Sequence, residues 1–184
     1  GAGNTSRYGG GGIFGLFATF PSDNEYDDYV FVHEFGHSFG GLADEYYTSA
    51  VAYSDFYPKG VEPWEPNITA FLDHDHPKWE SHLTKGVPTP TPNEKKFSDA
   101  CGIFEGAGYA AKDLYRPALD CKMFSKGNVP FCPVCSSAIE TLRWIVSRIR
   151  IPVFDVSRSR ASASASRRSC GMSFSAHTYR CAAA

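Results

Sequence analysis

The chain has 184 residues, 42% of them hydrophobic and 15% aromatic, enough for one domain with its own core and unlike the composition of a disordered chain. The net charge of −2 is unevenly placed: residues 157–184 hold five arginines and no Lys, Asp or Glu, so the other 156 residues carry −7. An acidic body argues against a nucleic-acid footprint, and no apolar run approaches the roughly 18 residues of a membrane span.

In chain order, the start GAGNTSRYGG lacks the basic and apolar regions of a secretory signal. The protein is therefore either not exported or a piece whose beginning lies upstream. Gly9 to Gly12 allow a bend or a close backbone approach, and Ile13–Phe20 reads as a strand near a sheet edge. An acidic turn follows, in which Asp23 or Asp27 can cap a helix. From Asp28 to Phe39 the aromatics Phe31, Phe35 and Phe39 recur every four residues, predicting a helix with a buried aromatic stripe. Gly40 and Gly41 end it.

Residues 48–100 are rich in Pro and Tyr and read as surface loops, with one short helix over His76–Leu83. The cluster Asp73, His74, Asp75, His76 and His82 reads as a solvated turn in preference to a second metal site. A further helix starts at Pro133 and ends near Pro152, with Ala138, Leu142, Ile145 and Ile149 on one face. The Ser-, Ala- and Arg-rich residues 157–184 cannot bury a core, which sets a folded domain at 1–156 and a disordered tail at 157–184.

The chemistry concentrates in YVFVHEFGHSFGGLADEYY, residues 29–47. His33 and His37 are spaced i and i+4, so a helix places both imidazoles on one face, where they can share a metal ion. Glu34 projects beside them as a general base toward water activated by that ion. Catalytic zinc takes three protein ligands and one open position. The turn after Gly41 supplies Asp44 as the third ligand, seven positions after His37, with Glu45 as its rival.

HExxHxxG followed by a turn and a ligand resembles the metzincin zinc peptidases. The string HEFGHSFGGLADEYY is similar to the immunoglobulin A metalloendopeptidase family, as are NTSRYGGGG, EPNIT, PKW, GIFEGAGY, LYRPALDCKM and FCPVCSSAI in the same order. The resemblance covers about residues 4–150 and implies an α+β metzincin-like zinc peptidase domain, an extracellular protein that hydrolyses protein or peptide substrates with one Zn2+. It implies His33 and His37 as zinc ligands, Glu34 as general base, and Met123 as the methionine of a Met-turn beneath the metal. One position departs: the usual third metzincin ligand falls on Ala43, which cannot ligate, so Asp44 requires a longer turn. Tyr109 and Tyr115 are candidate donors to a developing oxyanion or contacts to substrate, with aromatic packing the simpler role. Substrate is expected to lie extended along Ile13–Phe20.

Six cysteines, an even count, fit an oxidising compartment, and the sequons at Asn4 and Asn67 are compatible with one. Cys101, Cys121, Cys132 and Cys135 could instead hold a structural zinc, but their spacing lacks the paired CxxC signature, so disulfides are the expectation. Only some 27 residues precede the HExxH helix, so the domain is expected to lack the N-terminal strands and backing helix of a metzincin. The alternative function is thus a non-catalytic relic that binds zinc or a protein.

Overall fold

The computed structural model describes residues 10–21, 27–48 and 56–149. They form two helices and two small antiparallel sheets, a mixed α+β arrangement. All lie within the unit Gly1–Ile149. The expected boundary at 156 and the tail 157–184 lie outside the described residues.

The apolar run Ile13–Phe20 is not the single strand expected. It is most of a hairpin, in which β1 (Gly11–Ile13) pairs with β2 (Phe17–Thr19) and Ile13 stands opposite Phe17. Gly15, at φ +71, turns the chain, and the Leu16 N–H donates to the Ile13 carbonyl at 3.0 Å. Side chains resist that left-handed backbone and glycine does not. The glycine side of the hairpin lies against α1 (Asp27–Ser38). A Cβ on Gly12 would stand 2.6 Å from the Glu34 carbonyl oxygen and 2.7 Å from His37 Cβ, and one on Gly10 would collide with the Glu34 carboxylate. The close approach that the glycine run allows is therefore made, and it is made to the HExxH helix.

Helix α1 ends where Gly41 adopts φ +61, its N–H donating to the His37 carbonyl at 3.2 Å. The aromatic stripe is not buried as the four-residue spacing suggests: Phe31 is 46% and Phe35 38% exposed. Phe31 packs edge-on against Phe20, and Phe35 stacks on Phe39. The buried side of α1 is the one that carries His33, Glu34 and Gly36, because Met123 and Leu42 press against Gly36 there. The capping roles expected of Asp23 and Asp27 fall outside the described side chains.

Residues 56–100 are more than surface loops. They bury Asn67, Ile68, Phe71 and Trp79, and the Trp79 indole donates to the Gly102 carbonyl at 2.8 Å. Thr69 bridges to Tyr115 and Thr91 to Phe104, extending the hairpin of β3 (Phe104–Ala107) and β4 (Ala110–Arg116) on both sides. The short helix expected over His76–Leu83 is a single 3-10 turn, Glu80–His82. Asp73 Oδ1 accepts from the N–H groups of Asp75 and His76 in an exposed turn.

Helix α2 (Pro133–Arg148) begins at Cys132, whose sulfur accepts the Cys135 N–H. Only its first turns are covered. Val134 and Cys135 are buried, whereas Trp144, Ile145, Val146 and Ile149 are exposed, so the expected apolar face is covered at its beginning alone. The main cluster of buried side chains lies between these elements and gathers Leu42, Phe71, Trp79, Ile103, Met123 and Cys135, among others. No described helix is long and apolar enough to cross a membrane.

Because backbone atoms of α1 oppose Gly12, neither partner can yield by turning a side chain. Gly12→Ala is expected to lift the hairpin from α1 and destabilise the fold by about 1–3 kcal/mol, read as a lowered midpoint in urea denaturation.

Candidate functional site

Helix geometry brings the imidazoles of His33 and His37 together, their Nε2 atoms 3.1 Å apart. Asp44 arrives from the segment after Gly41, with Oδ1 at 3.0 Å from His33 Nε2 and 3.2 Å from His37 Nε2. Glu34 is buried beside them. The four residues read from the motif thus converge.

The ring orientations follow from what the other nitrogens do. His33 Nδ1 lies 3.0 Å from the Lys122 carbonyl and His37 Nδ1 2.6 Å from the Leu42 carbonyl. A carbonyl oxygen only accepts, so each Nδ1 carries the hydrogen and each Nε2 turns a lone pair inward. Asp44 Oδ1 adds a third acceptor, which stands at ion-pair distance from both rings but accepts no well-aligned hydrogen bond. One added proton could bridge one edge of this triangle. A cation at its centre satisfies all three edges, and ligand atoms about 2.0–2.1 Å from a tetrahedral zinc stand roughly 3.3 Å apart. The donor set therefore fits a zinc-sized ion.

Charge is distributed accordingly. Burial alone would raise the Asp44 carboxyl, but the His33 and His37 imidazoles beside it hold it well below the usual carboxylate range. Burial would lower the His37 imidazole, and Asp44 reverses that and moves it up. Glu34 is pushed up by burial, with the two histidines opposing, and its Oε2 has no hydrogen-bond partner.

Tyr109 is brought to the site and Tyr115 is not. Gly108 and Tyr109 form the two-residue turn between β3 and β4, at φ +55 and +67, the sign pattern of a tight hairpin turn that favours Asn-Gly. A tyrosine in that conformation is strained, and here its hydroxyl donates to Asp44 Oδ2. Burial and the charge of Asp44 keep the phenol protonated by raising it. Tyr115 packs against Phe71, with ring centroids 5.7 Å apart. Met123 is fully buried, and a Cβ on Gly36, the residue just before His37, would stand 2.7 Å from its sulfur.

The choice between Asp44 and Glu45 is one of direction. Ala43, at the usual ligand position, is held by Asn67, which accepts from its N–H at 2.7 Å and donates to its carbonyl at 2.9 Å. That clamp passes Asp44 to the histidines and turns Glu45 away into the interior, where Asn67 also donates to Glu45 Oε1 at 3.0 Å. Asn67 is fully buried by these bonds, so the sequon there is not open to a glycan. Asn4 lies outside the described residues.

The cysteines correct a second expectation. Cys101, Cys121, Cys132 and Cys135 are all free thiols. Cys121 Sγ and Cys135 Sγ stand 3.7 Å apart, far beyond the ~2.05 Å of a disulfide. Cys170 and Cys181 lie outside the described residues.

Sequence reasoning missed Tyr29, Tyr46 and Asn67. Tyr29, whose hydroxyl lies 3.1 Å from His33 Nδ1, stands four residues before it and was open to the same helical spacing. Tyr46 stacks on His33 and meets Tyr109 edge-on, and Asn67 carries no local signal. A large groove lined by Phe14, Trp64, Trp79 and Leu142 is bordered by none of His33, Glu34, His37 or Asp44.

Two outcomes follow from these contacts. Tyr109→Phe removes the donor that orients Asp44 and is expected to weaken metal binding about 10–100-fold, measured by chelator competition. Asn67→Ala leaves buried groups of Ala43 and Glu45 unpaired and should cost about 2–3 kcal/mol in urea denaturation.

A family model described as IgA Peptidase M64 matches residues 2–98 and 93–142. No curated protein matches significantly. Family peptidases of this description are metallopeptidases, and the two clusters of ligand-bearing side chains described here are of a kind that can hold metal. By the span of that match, the chain belongs to the IgA peptidase M64 family.

Proposed function

We propose that the chain is a zinc-dependent endopeptidase of metzincin-like design, with His33, His37 and Asp44 as metal ligands, Glu34 as general base and Met123 as the floor of a Met-turn. The observation that carries this reading is the triangle of three inward-facing acceptors, 3.0–3.2 Å on each edge, beside a buried carboxylate. Zinc held there supplies Lewis acidity toward a scissile carbonyl and lowers the pKa of water toward ~7.

Glu34 takes the proton of the attacking water and returns it to the leaving amine. Its burial suits that task, because a carboxylate raised from its ordinary range is a better base near neutrality. His33 and His37 keep fixed tautomers through Lys122 and Leu42. Tyr109 acts as a positioning residue through Asp44, a role its hydrogen bond supports over direct donation to an oxyanion. The substrate peptide is placed extended along Ile13–Phe20, beside the base.

Glu34→Gln should keep the metal, because Glu34 is not a ligand, while cleavage of a peptide library falls about 10²–10⁴-fold. Metal content and turnover are read on the same preparation. Undiminished turnover in that variant overturns the role of Glu34. A wild-type chain that is folded and holds zinc but cuts nothing supports the non-catalytic alternative.

A further inference from the structure

We propose that Glu45, Cys121, Cys132 and Cys135 form a second metal site, structural in function, that takes a zinc-like divalent cation and braces the catalytic turn from behind. Their ligand atoms all lie within 4.8 Å of one another, and all four residues are buried. Cys121 Sγ and Cys135 Sγ stand 3.7 Å apart and Cys135 Sγ stands 3.2 Å from Glu45 Oε1. Thiolates about 2.3 Å from a tetrahedral ion would be separated by roughly 3.75 Å. Four ligands close the coordination shell, with no position left for water, which is the mark of a structural site.

The strongest sign is Glu45. The residue is wholly buried, yet Oε2 has no hydrogen-bond partner. A buried carboxylate oxygen without a donor is costly. A cation among the three sulfurs supplies what Oε2 lacks. Asn67, donating to Oε1 at 3.0 Å, orients the carboxylate in the way that outer partners of metal ligands do.

A helix end and backbone N–H groups also face the sulfurs. Cys132 caps α2 and Cys135 lies in its first turn, so the positive end of a 16-residue helix points at the cluster. The Cys132 N–H donates to Cys121 Sγ at 3.3 Å, and the Cys135 N–H donates to Cys132 Sγ at 3.5 Å. Burial pushes the Glu45 carboxyl up, and Arg116, buried nearby, opposes that with its positive charge. Cys101, also buried, stands outside the ligand group.

The consequence is mechanical. Glu45 follows Asp44 directly, and its N–H donates to the Met123 carbonyl at 2.8 Å. A metal bound to Glu45 would therefore fix the residue that presents Asp44 to the histidines. It would also fasten Cys121, two residues before Met123, to the start of α2.

The test is made on the full chain, purified under reducing conditions and loaded with Zn2+. Two zinc ions per chain are expected by elemental analysis, with sulfur ligation visible in the X-ray absorption spectrum. In the Co2+-substituted protein a thiolate-to-cobalt charge-transfer band is expected. Cys135→Ser should lose that band and one ion, whereas His37→Ala should lose one ion and keep the band. Because Cys135→Ser could fail to fold, the wild-type spectra decide on their own. Zinc ligated by nitrogen and oxygen only, or a disulfide joining Cys121, Cys132 or Cys135 in the intact protein, overturns the proposal. That readout is independent of peptide cleavage, so an inactive protein with zinc–sulfur ligation would refute the peptidase reading alone.

Discussion

Everything around the site depends on two consecutive carboxylates facing opposite ways. Asp44 points to His33 and His37, and Glu45 points to three thiols on the other side. A chain segment has no intrinsic reason to keep that arrangement. It is kept because Asn67 holds both backbone groups of Ala43 and one oxygen of Glu45, and because the Met123 carbonyl accepts the Glu45 N–H. Two distant parts of the sequence, at Asn67 and at Met123, thus fix one short turn, and the carboxylate oxygens they leave without a hydrogen bond, Asp44 Oδ1 and Glu45 Oε2, face the two ligand clusters.

The same segment explains why the site tolerates local strain. Tyr109 occupies a left-handed turn position that favours Asn or Gly, and its hydroxyl meets Asp44. On the opposite side, glycines replace side chains wherever β1 or Met123 must approach α1 closely. Backbone packed against the helix at Gly12 and sulfur packed against it at Gly36 leave the histidine face little freedom to move. Rigid placement of ligands is what a metal site with fixed tautomers requires.

The histidine pair and Glu34 were legible from the start because their relation is local: four residues on one helix give one face. The same logic would have reached Tyr29. It overreached with Phe31 and Phe35, since a four-residue period marks a face without saying what covers it. The run Ile13–Phe20 read as one strand because its apolar content hid the turn at Gly15. Residues 56–100 lack periodicity, so their buried Asn67, Ile68 and Trp79 could not be anticipated. Their burial depends on bridges to β3 and β4 made across the fold.

The sequence by itself determined the helix, its two imidazoles, the adjacent carboxylate and the family resemblance, all of which rest on short-range spacing and ordered strings. The tertiary structure decided that Asp44 and not Glu45 meets the histidines, that Tyr109 and not Tyr115 reaches the site, and that the described cysteines stay free and gather around a buried carboxylate. The reason is distance along the chain. Glu45 and Cys135 are 90 residues apart, and no local preference of either records the contact that folding makes between them.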